Sequence, residues 1–383
     1  MPTPPIFLPG NAAPPSLQLP GGQYVIYEQQ NQLYLTSTMG GAPRLISAPG
    51  YVYNQAVQPI LTPSGKLLYS GNGLWLLDPL SGTSTRVATL APGAVITSMA
   101  LSDDGKSLAW STEPIDGHGV IDVYTAPLMP LTAPTLVYKQ LAANCPCYRV
   151  FGFLHGSATM LLLTDGRGSH DAIQYGLWTL DLNQIPPATP QLLLNEDRQQ
   201  GPLALAPSEN VLLYSSSEGA VPIPTDKSVP GDVATLSYAN SLDLTTIGGT
   251  GRQSLTLSTP QVLLPEQHNL SNDAQYHWVT TPTFSPDGHT LVYVEFSSDT
   301  QDPFDRHSSL YTVQVTGSGT QMQASKPQLL ATSSALFLEL GAWLNNSIVT
   351  FYADGRLYAL DVHSGAATTF GQTVGYARIV GVV

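Results

Sequence analysis

Hydrophobic residues recur along this chain in short alternating runs, separated by turn-forming pairs. The phrase "FSPDGHTLVYVEF" (284–296) predicts a strand, a turn at Asp287-Gly288 and a second strand, and related phrases occur as "LSDDGKSLAW" (101–110) and "LTPSGKLLY" (61–69). The glycine in each phrase provides the positive φ that a tight hairpin requires. Because alternation with a period of two indicates strands and no stretch shows a helical period, the pattern predicts an all-β fold.

The runs align as a repeated unit of four strands, which we call a, b, c and d. Six complete units are predicted at residues 53–91, 94–139, 148–195, 200–265, 276–332 and 335–372. Residues 22–49 match strands b, c and d without a preceding strand a, and residues 375–383 form a lone last strand. A ring explains both, because the last strand completes the first unit and leaves no open edge. The sequence therefore predicts a seven-bladed β-propeller, 22–383, as a single domain of antiparallel blades.

The N-terminal residues 1–21 are rich in proline and predict a tether rather than part of a blade. They lack the features of a signal peptide, so either an export signal or anchor preceded them or they are a flexible natural terminus. No apolar run approaches the length that spans a bilayer, so we expect no direct membrane insertion by this chain. A surface rich in Thr, Ser, Gln and Asn favours an extracytoplasmic (periplasmic, secreted or cell-surface) protein, which we expect to be a monomer.

The net charge of −13 excludes the basic patches that nucleic acids require, so no nucleic-acid partner is expected. The two cysteines, Cys145 and Cys147, occur in "NCPCYR". Two thiols alone cannot form a tetrahedral zinc site. Two interpretations stay open: a pair of ordinary thiols, or a disulfide across one residue. In either case we expect both cysteines to be exposed, in the loop that joins blades 3 and 4.

The phrase "FSPDGHTLVY", followed by "LYTVQV", resembles the TolB-type, WD-like repeat of bacterial propellers and of prolyl-oligopeptidase-type peptidases. The resemblance covers the whole folded chain and implies the propeller fold. Its motif consists of turn and packing residues, so it transfers no functional residue. The α/β domain of TolB and the G-x-S-x-G nucleophile of the peptidases have no counterpart in this sequence.

Four consecutive blades carry long predicted b–c loops, at 112–120, 166–175, 218–238 and 298–309, whereas the other blades have minimal ones. Long loops on a rigid scaffold are where binding residues concentrate. The candidate ligand-binding residues are those of these loops and of the predicted d–a loop at 265–278, which opens on the same face: Asp116, His118, His170, Asp171, Asp302, Asp305, His307, His277 and Trp278. Acidic residues outnumber basic ones in these loops, which predicts a ligand that is a cation or carries basic groups. Histidines beside these acids predict that binding depends on pH.

Two functions of different class fit this surface. The favoured hypothesis is a non-catalytic module that binds a protein, peptide or glycan, because the sequence has no catalytic motif and no expected cofactor. The alternative is a lyase or hydrolase that uses His and Asp residues of the same loops, with a divalent cation whose ligands the sequence does not identify. Propellers serve both functions, so the fold alone does not decide between them.

Overall fold

The computed structural model describes residues 6–7, 17–54, 56–115, 119–128, 134–142, 146–166, 174–184, 189–195, 203–207, 209–215, 241–249, 255–265, 276–298, 306–317, 319–335 and 338–383. Their strands form seven antiparallel sheets of at least four strands each. The predicted all-β, seven-bladed propeller is therefore confirmed. The described residues include no α-helix, and one short 3₁₀ helix spans Gly319–Gln321.

Each blade consists of strands a, b, c and d in order. Blade 1 contains β31 (Arg378–Val382), β2 (Tyr24–Gln29), β3 (Gln32–Ser37) and β4 (Arg44–Ile46). Blade 2 contains β5 (Ile60–Leu61), β6 (Leu67–Ser70), β7 (Leu74–Leu77) and β8 (Ser84–Ala88). Blade 3 contains β9 (Ala94–Leu101), β10 (Ser107–Pro114), β11 (Val120–Pro127) and β12 (Thr135–Leu141). Blade 4 contains β13 (Tyr148–Phe153), β14 (Met160–Asp165), β15 (Tyr175–Asp181) and β16 (Gln191–Leu194).

The remaining blades include additional short strands. Blade 5 contains β17 (Leu203–Leu205), β18 (Val211–Tyr214), β19 (Leu242–Gly248), and an outer strand in two pieces, β20 (Thr256–Leu257) and β21 (Gln261–Leu264). Blade 6 contains β22 (Tyr276–Phe284), β23 (Thr290–Ser298), β24 (Arg306–Thr316), β25 (Gln323–Ala324) and β26 (Gln328–Ser333). Blade 7 contains β27 (Leu338–Trp343), β28 (Ile348–Ala353), β29 (Arg356–Asp361) and β30 (Ala367–Gln372).

The C-terminal strand closes the ring. β31 pairs antiparallel with β2, and Tyr24 and Val383 exchange backbone hydrogen bonds of 2.8 and 2.9 Å. Strand a is the innermost strand of each blade, because β31 contacts both β27 of blade 7 and β5 of blade 2. The two ends of the chain are thereby joined in one sheet, which removes the open edge that either end would otherwise expose.

A cross-strand aromatic pair fills the centre of five blades. The partners lie directly opposite each other on strands b and c, with ring centroids 5.0–6.4 Å apart and near-parallel planes: Tyr27–Tyr34, Tyr69–Trp75, Trp110–Tyr124, Tyr293–Tyr311 and Phe351–Tyr358. Aromatic pairs at this distance stabilise a sheet beyond the area that they bury. The buried hydrophobic residues that the structure describes form clusters between neighbouring blades, so the core lies where adjacent blades pack against each other.

The repeated turn phrases form the a–b connections, as the sequence predicts. In blade 6 the Ser285 hydroxyl donates to Asp287 Oδ1 over 2.6 Å, and the amide of Gly288, at φ 73°, donates to the Ser285 carbonyl. Blade 3 repeats this turn at Ser102, Asp104 and Gly105. Hydrogen bonds from the Lys106 backbone amide and from the Ser102 hydroxyl lower the pKa of Asp104, so this aspartate stabilises its turn.

Part of the proline-rich segment contacts the propeller. Ile6–Phe7 form β1, which pairs antiparallel with the outer strand β26 of blade 6. Leu17 and Leu19 pack against the hydrophobic cluster shared by blades 1 and 7, and Thr38 donates to the Pro20 carbonyl over 2.8 Å.

Candidate functional site

Six of the residues singled out by the sequence lie outside the described residues. They are Asp116, His118, His170, Asp171, Asp302 and Asp305. His277 and Trp278 belong to β22, and His307 is exposed on β24. His277 and His307 both pair with Ser297, from opposite sides of β23. Because adjacent strands lie about 5 Å apart, the two histidines share one row of blade 6.

Cys147 is buried and disulfide-bonded, and Cys145, the other cysteine of the chain, lies outside the described residues. The expectation that both cysteines would be exposed is wrong for Cys147. The amide of Cys147 donates to Asp165 Oδ1 over 2.8 Å, and its carbonyl accepts from the Gly166 amide over 3.2 Å. These bonds continue the pairing of β13 with β14, which draws Cys147 into the sheet.

The b–c and d–a connections emerge on one face of the ring, which we call the loop face. Every strand a begins on this face, so the innermost strands border the end of the central channel there, and we call this end the channel mouth. The opposite face carries the a–b turns. Two groups of charged residues occur at the channel mouth, on different sides of the ring.

The first group, the blade 3–4 cluster, consists of Glu113, Arg149 and Asp165. Glu113 precedes the b–c connection of blade 3, Asp165 ends strand b of blade 4, and Arg149 is the second residue of strand a of blade 4. Arg149 Nε lies 3.6 Å from Glu113 Oε1, and both side chains are buried. Burial raises the pKa of Glu113, and the nearby guanidinium offsets this only in part. The cluster therefore lies at the base of two loops that the sequence selects.

The second group, the closure cluster, consists of Glu28, Tyr53, Glu339, Tyr376 and Arg378. Glu28 on β2 lies directly opposite Arg378 on β31 and accepts a hydrogen bond from its Nε. The two side chains are almost completely buried, with 1% of Glu28 and 3% of Arg378 exposed. Arg378 Nη2 also donates to the Asn54 carbonyl over 3.1 Å. An ion pair thus lies within the seam that closes the ring.

Partly exposed groups surround this pair. The guanidinium of Arg378 stacks on the ring of Tyr53, 4.9 Å from its centroid. Tyr376, just before β31, donates its hydroxyl hydrogen to Glu339 Oε2 on β27. Tyr53, Tyr376 and Glu339 are half-buried. The b–c connections beside them, Gln30-Asn31 and Asp354-Gly355, have two residues each, whereas the longer connection between β4 and β5 lies on the cluster and provides Tyr53 and the Asn54 carbonyl.

The closure cluster changes the acidity of its members. Burial raises the pKa of Glu28 to about 7, although Arg378 acts in the opposite direction, and Glu339 adds a further raising effect. Burial and the Glu339 carboxylate hold the pKa of Tyr376 far above its ordinary value. Burial lowers the pKa of Arg378, but the Glu28 carboxylate outweighs this and raises it. Two carboxyl groups share one guanidinium, so one of them takes up a proton readily.

This arrangement has the components of proton-transfer chemistry. Glu339 is a carboxylate acceptor, Tyr376 stays a neutral hydroxyl donor at ordinary pH, and Arg378 is a permanent cation. Strongly shifted pKa values cluster at functional sites more often than elsewhere. Among the described residues, no three His, Cys, Asp or Glu side chains come together as a metal site.

A cavity of about 360 Å³ lies elsewhere, between the outer strands of blades 4 and 5. Its lining consists of Leu193, Leu194, Asn195, Tyr214, Leu255, Thr256, Leu257, Ser258 and Pro260. This lining contains no acid, base or histidine. We therefore place the candidate site at the channel mouth.

No protein-family model matches the chain, and no curated protein matches its sequence. Solved structures match its fold. An oligogalacturonate lyase in complex with manganese has a TM-score of 0.52 at 15% identity, over 92% of this chain and 86% of that one. The periplasmic gluconolactonase of Pseudomonas aeruginosa has a TM-score of 0.54 at 15% identity, over 94% and 99%. A protein of Bacteroides uniformis assigned provisionally as a 6-phosphogluconolactonase has a TM-score of 0.51 at 10% identity, over 94% and 98%.

These matches support membership of the β-propeller fold, whereas the TolB-type repeat itself stays a prediction. They also correct the favoured hypothesis of a non-catalytic binding module, and with it the expectation that the protein is not an enzyme. Propellers of this shape include a lyase and a lactonase. The missing motifs were weak evidence, because a propeller assembles its site from residues far apart in sequence. No helix among the described residues is long and apolar enough to cross a membrane.

Sequence reasoning missed the closure cluster because its members are distant in sequence: Glu28 and Arg378 are separated by 350 positions. A signal was nevertheless present. The predicted ring closure pairs residues 375–383 with residues near 23–29, and each of these segments contains a buried charge. Opposite charges on two strands predicted to pair indicate a cross-strand ion pair.

Proposed function

We propose that this protein is an enzyme, a hydrolase or lyase, with its active site at the closure cluster. The observation that carries this proposal is the hydrogen bond from Tyr376 to Glu339 beside the buried Arg378–Glu28 pair. A base, a neutral proton donor and a cation occur together beside the short b–c connections of blades 7 and 1. A binding module would not require this combination.

Two reaction classes suit these groups. In lactone hydrolysis, Glu339 would take a proton from water as the water oxygen adds to the carbonyl carbon, while Tyr376 and Arg378 would stabilise the oxyanion that forms. Collapse of this intermediate would break the ring C–O bond, and the protonated Glu339 would return the proton to the leaving ring oxygen. In β-elimination, Glu339 would remove the proton next to a carboxylate, Arg378 would offset the charge that develops, and Tyr376 would protonate the leaving oxygen. Both reactions act on sugar acids or their lactones, the substrate class that the names of the similar propellers indicate.

The similar lyase contains manganese, so the proposal includes a divalent cation, but only at the candidate residues of the long loops that the sequence selects. The described residues do not fit such a site, so none of the steps above uses a metal. One similar propeller is periplasmic, which supports the proposal that this protein works outside the cytoplasm.

The test is a pair of activity assays on the full-length chain. Hydrolysis of D-glucono-1,5-lactone would be followed by acid release, and cleavage of oligogalacturonate by the absorbance of the unsaturated product, each with added manganese and with EDTA. We expect turnover in one assay, a loss of about 10²–10⁴-fold in Glu339→Gln, and a loss of about 10²–10³-fold in Tyr376→Phe.

Two control variants locate the site. Tyr138→Phe removes a half-buried hydroxyl of the outer strand β12 and should retain full activity. Glu113→Gln alters the blade 3–4 cluster and should also retain it. Activity that survives Glu339→Gln but is lost in Glu113→Gln would move the active site to blades 3 and 4. Absence of turnover in both assays would contradict the proposed function.

A further inference from the structure

The Glu28 carboxylate occupies the position at Arg378 that the carboxylate of a ligand would take. It is 1% exposed, comes from the neighbouring strand of the same blade, and accepts the hydrogen bond of Arg378 Nε. Its other oxygen, Oε2, has no hydrogen-bond partner among the described residues. A carboxylate bound to arginine normally uses both oxygens, because the guanidinium presents a planar fork of donors. The internal pair is therefore an incomplete version of the contact that an external carboxylate would make.

We propose that Arg378 binds a carboxylate-bearing ligand by proton-coupled exchange, in which Glu28 takes up a proton and the ligand carboxylate replaces it as counter-ion. The balance is simple: one proton moves from solvent to Glu28, one carboxylate enters, and the net charge of the cluster does not change. This inference rests on the proposed location of the active site but does not require turnover.

The surroundings of Glu28 support the exchange. Among the residues that the structure describes, the charged and titratable groups around Glu28 belong to the closure cluster: Arg378 on β31, Glu339 on β27, and the Tyr53 and Tyr376 hydroxyls on the connections that precede β5 and β31. Glu339 is a second acid that opposes ionisation of Glu28, and burial acts in the same direction, so the pKa of Glu28 is about 7. Glu28 therefore takes up a proton readily near neutral pH.

Partly exposed side chains lie next to Arg378, which is itself 3% exposed. Tyr53, whose ring lies against the guanidinium, is half-buried, as are Tyr376 and Glu339. A sugar acid would place its carboxylate on Arg378 and its ring against the tyrosines, an arrangement that suits rings with an apolar face. Binding of this ligand depends on pH because the cluster contains more acidic than basic groups. An ionised Glu28 competes with the ligand carboxylate for Arg378.

The test is isothermal titration calorimetry with D-gluconate and D-galacturonate, and with D-glucitol and D-galactose as neutral controls of the same skeleton. Above pH 7 the dissociation constant of the acids should rise about tenfold per pH unit, and it should level off below about pH 6. Parallel titrations in phosphate and Tris, whose ionisation enthalpies differ, should show uptake of close to one proton per bound carboxylate above pH 7.

Variants separate the roles of the two partners. Glu28→Gln should bind the acids with the affinity that the parent shows at low pH, without proton uptake and without pH dependence. Arg378→Lys should bind at least about tenfold more weakly, since lysine lacks the planar fork of donors. Glu113→Gln, the matched acid of the blade 3–4 cluster, should keep the parent's pH profile.

Three results would overturn the inference: equal binding of neutral and acidic sugars, acid binding without proton uptake above pH 7, or no detectable binding of either acid. The proton count is measured on the parent protein, so it decides the question even if Glu28→Gln does not fold. The outcomes also distinguish this inference from the proposed enzyme. Proton-coupled binding without turnover would refute the enzyme alone, and turnover with pH-independent binding would refute the exchange alone.

Discussion

Gly341 tests the closed ring directly, because it lies where blade 7 meets the C-terminal strand. It belongs to β27, the innermost strand of blade 7, and a Cβ added there would lie 2.5 Å from Ile379 Cβ, 2.8 Å from Cγ2 and 3.0 Å from Cδ1. Carbon atoms pack best at about 3.5–4.0 Å. The variant Gly341→Ala therefore requires β27 and β31 to separate by close to 1 Å.

The expected cost follows from these distances. Overpacking a core costs about 1–3 kcal/mol, and the upper part of this range applies because Ile379 Cβ moves only with its backbone. Replacing glycine also restricts the unfolded chain, which stabilises by about 0.4–1 kcal/mol. The free energy of unfolding should therefore fall by about 1–2 kcal/mol, as measured by urea unfolding with tryptophan fluorescence.

Gly152 is the matched control. It lies on β13, the innermost strand of blade 4, and a Cβ there would have no heavy atom within 4 Å. Neither glycine adopts a positive φ, so backbone strain does not separate the two substitutions. Gly152→Ala should leave stability unchanged or increase it slightly. Equal unfolding midpoints for Gly341→Ala, Gly152→Ala and the parent would refute the close packing of β27 on β31, and with it this geometry of closure.

Two further predictions concern Glu28 and the disulfide. The pKa of Glu28 is about 7 in the folded protein against an ordinary value of 4.5, so the stability it contributes is full below pH 4.5 and is lost as the pH rises to about 7. As the pH rises across this range, the free energy of unfolding of Glu28→Gln, measured in urea, should therefore exceed that of the parent by a growing margin, up to about 3 kcal/mol. A constant difference would contradict the raised pKa of Glu28. Reduction of the Cys147 disulfide by dithiothreitol should release two thiols with little change in the melting temperature, because a bridge across one residue hardly restricts the unfolded chain; a large drop would contradict this.

Part of the site lay within reach of sequence reasoning and part did not. The strands that carry Glu28 and Arg378 were predicted, together with their pairing. The register that places the two residues opposite each other follows from a shift between Ile26 and Tyr27 in the pairing, which no local pattern reveals. Similarly, the blade 3–4 cluster joins Glu113 of one blade to Arg149 of the next, and the distance between blades depends on how their cores pack.

The sequence by itself determined the blade count, the order of the strands, the a–b turns and the closure by the last strand. These depend on local chemistry: alternation of apolar residues selects strands, Asp-Gly and Ser-Gly select turns, and an incomplete first unit with an orphan last strand requires a ring. Only the tertiary structure decided that a buried ion pair occupies the seam, that Cys147 is drawn into the sheet, and that Tyr376 meets Glu339. The physical reason is that burial and electrostatic effects depend on groups brought together from distant positions. The pKa of Glu28 is raised only when residues from both ends of the chain surround its carboxyl group.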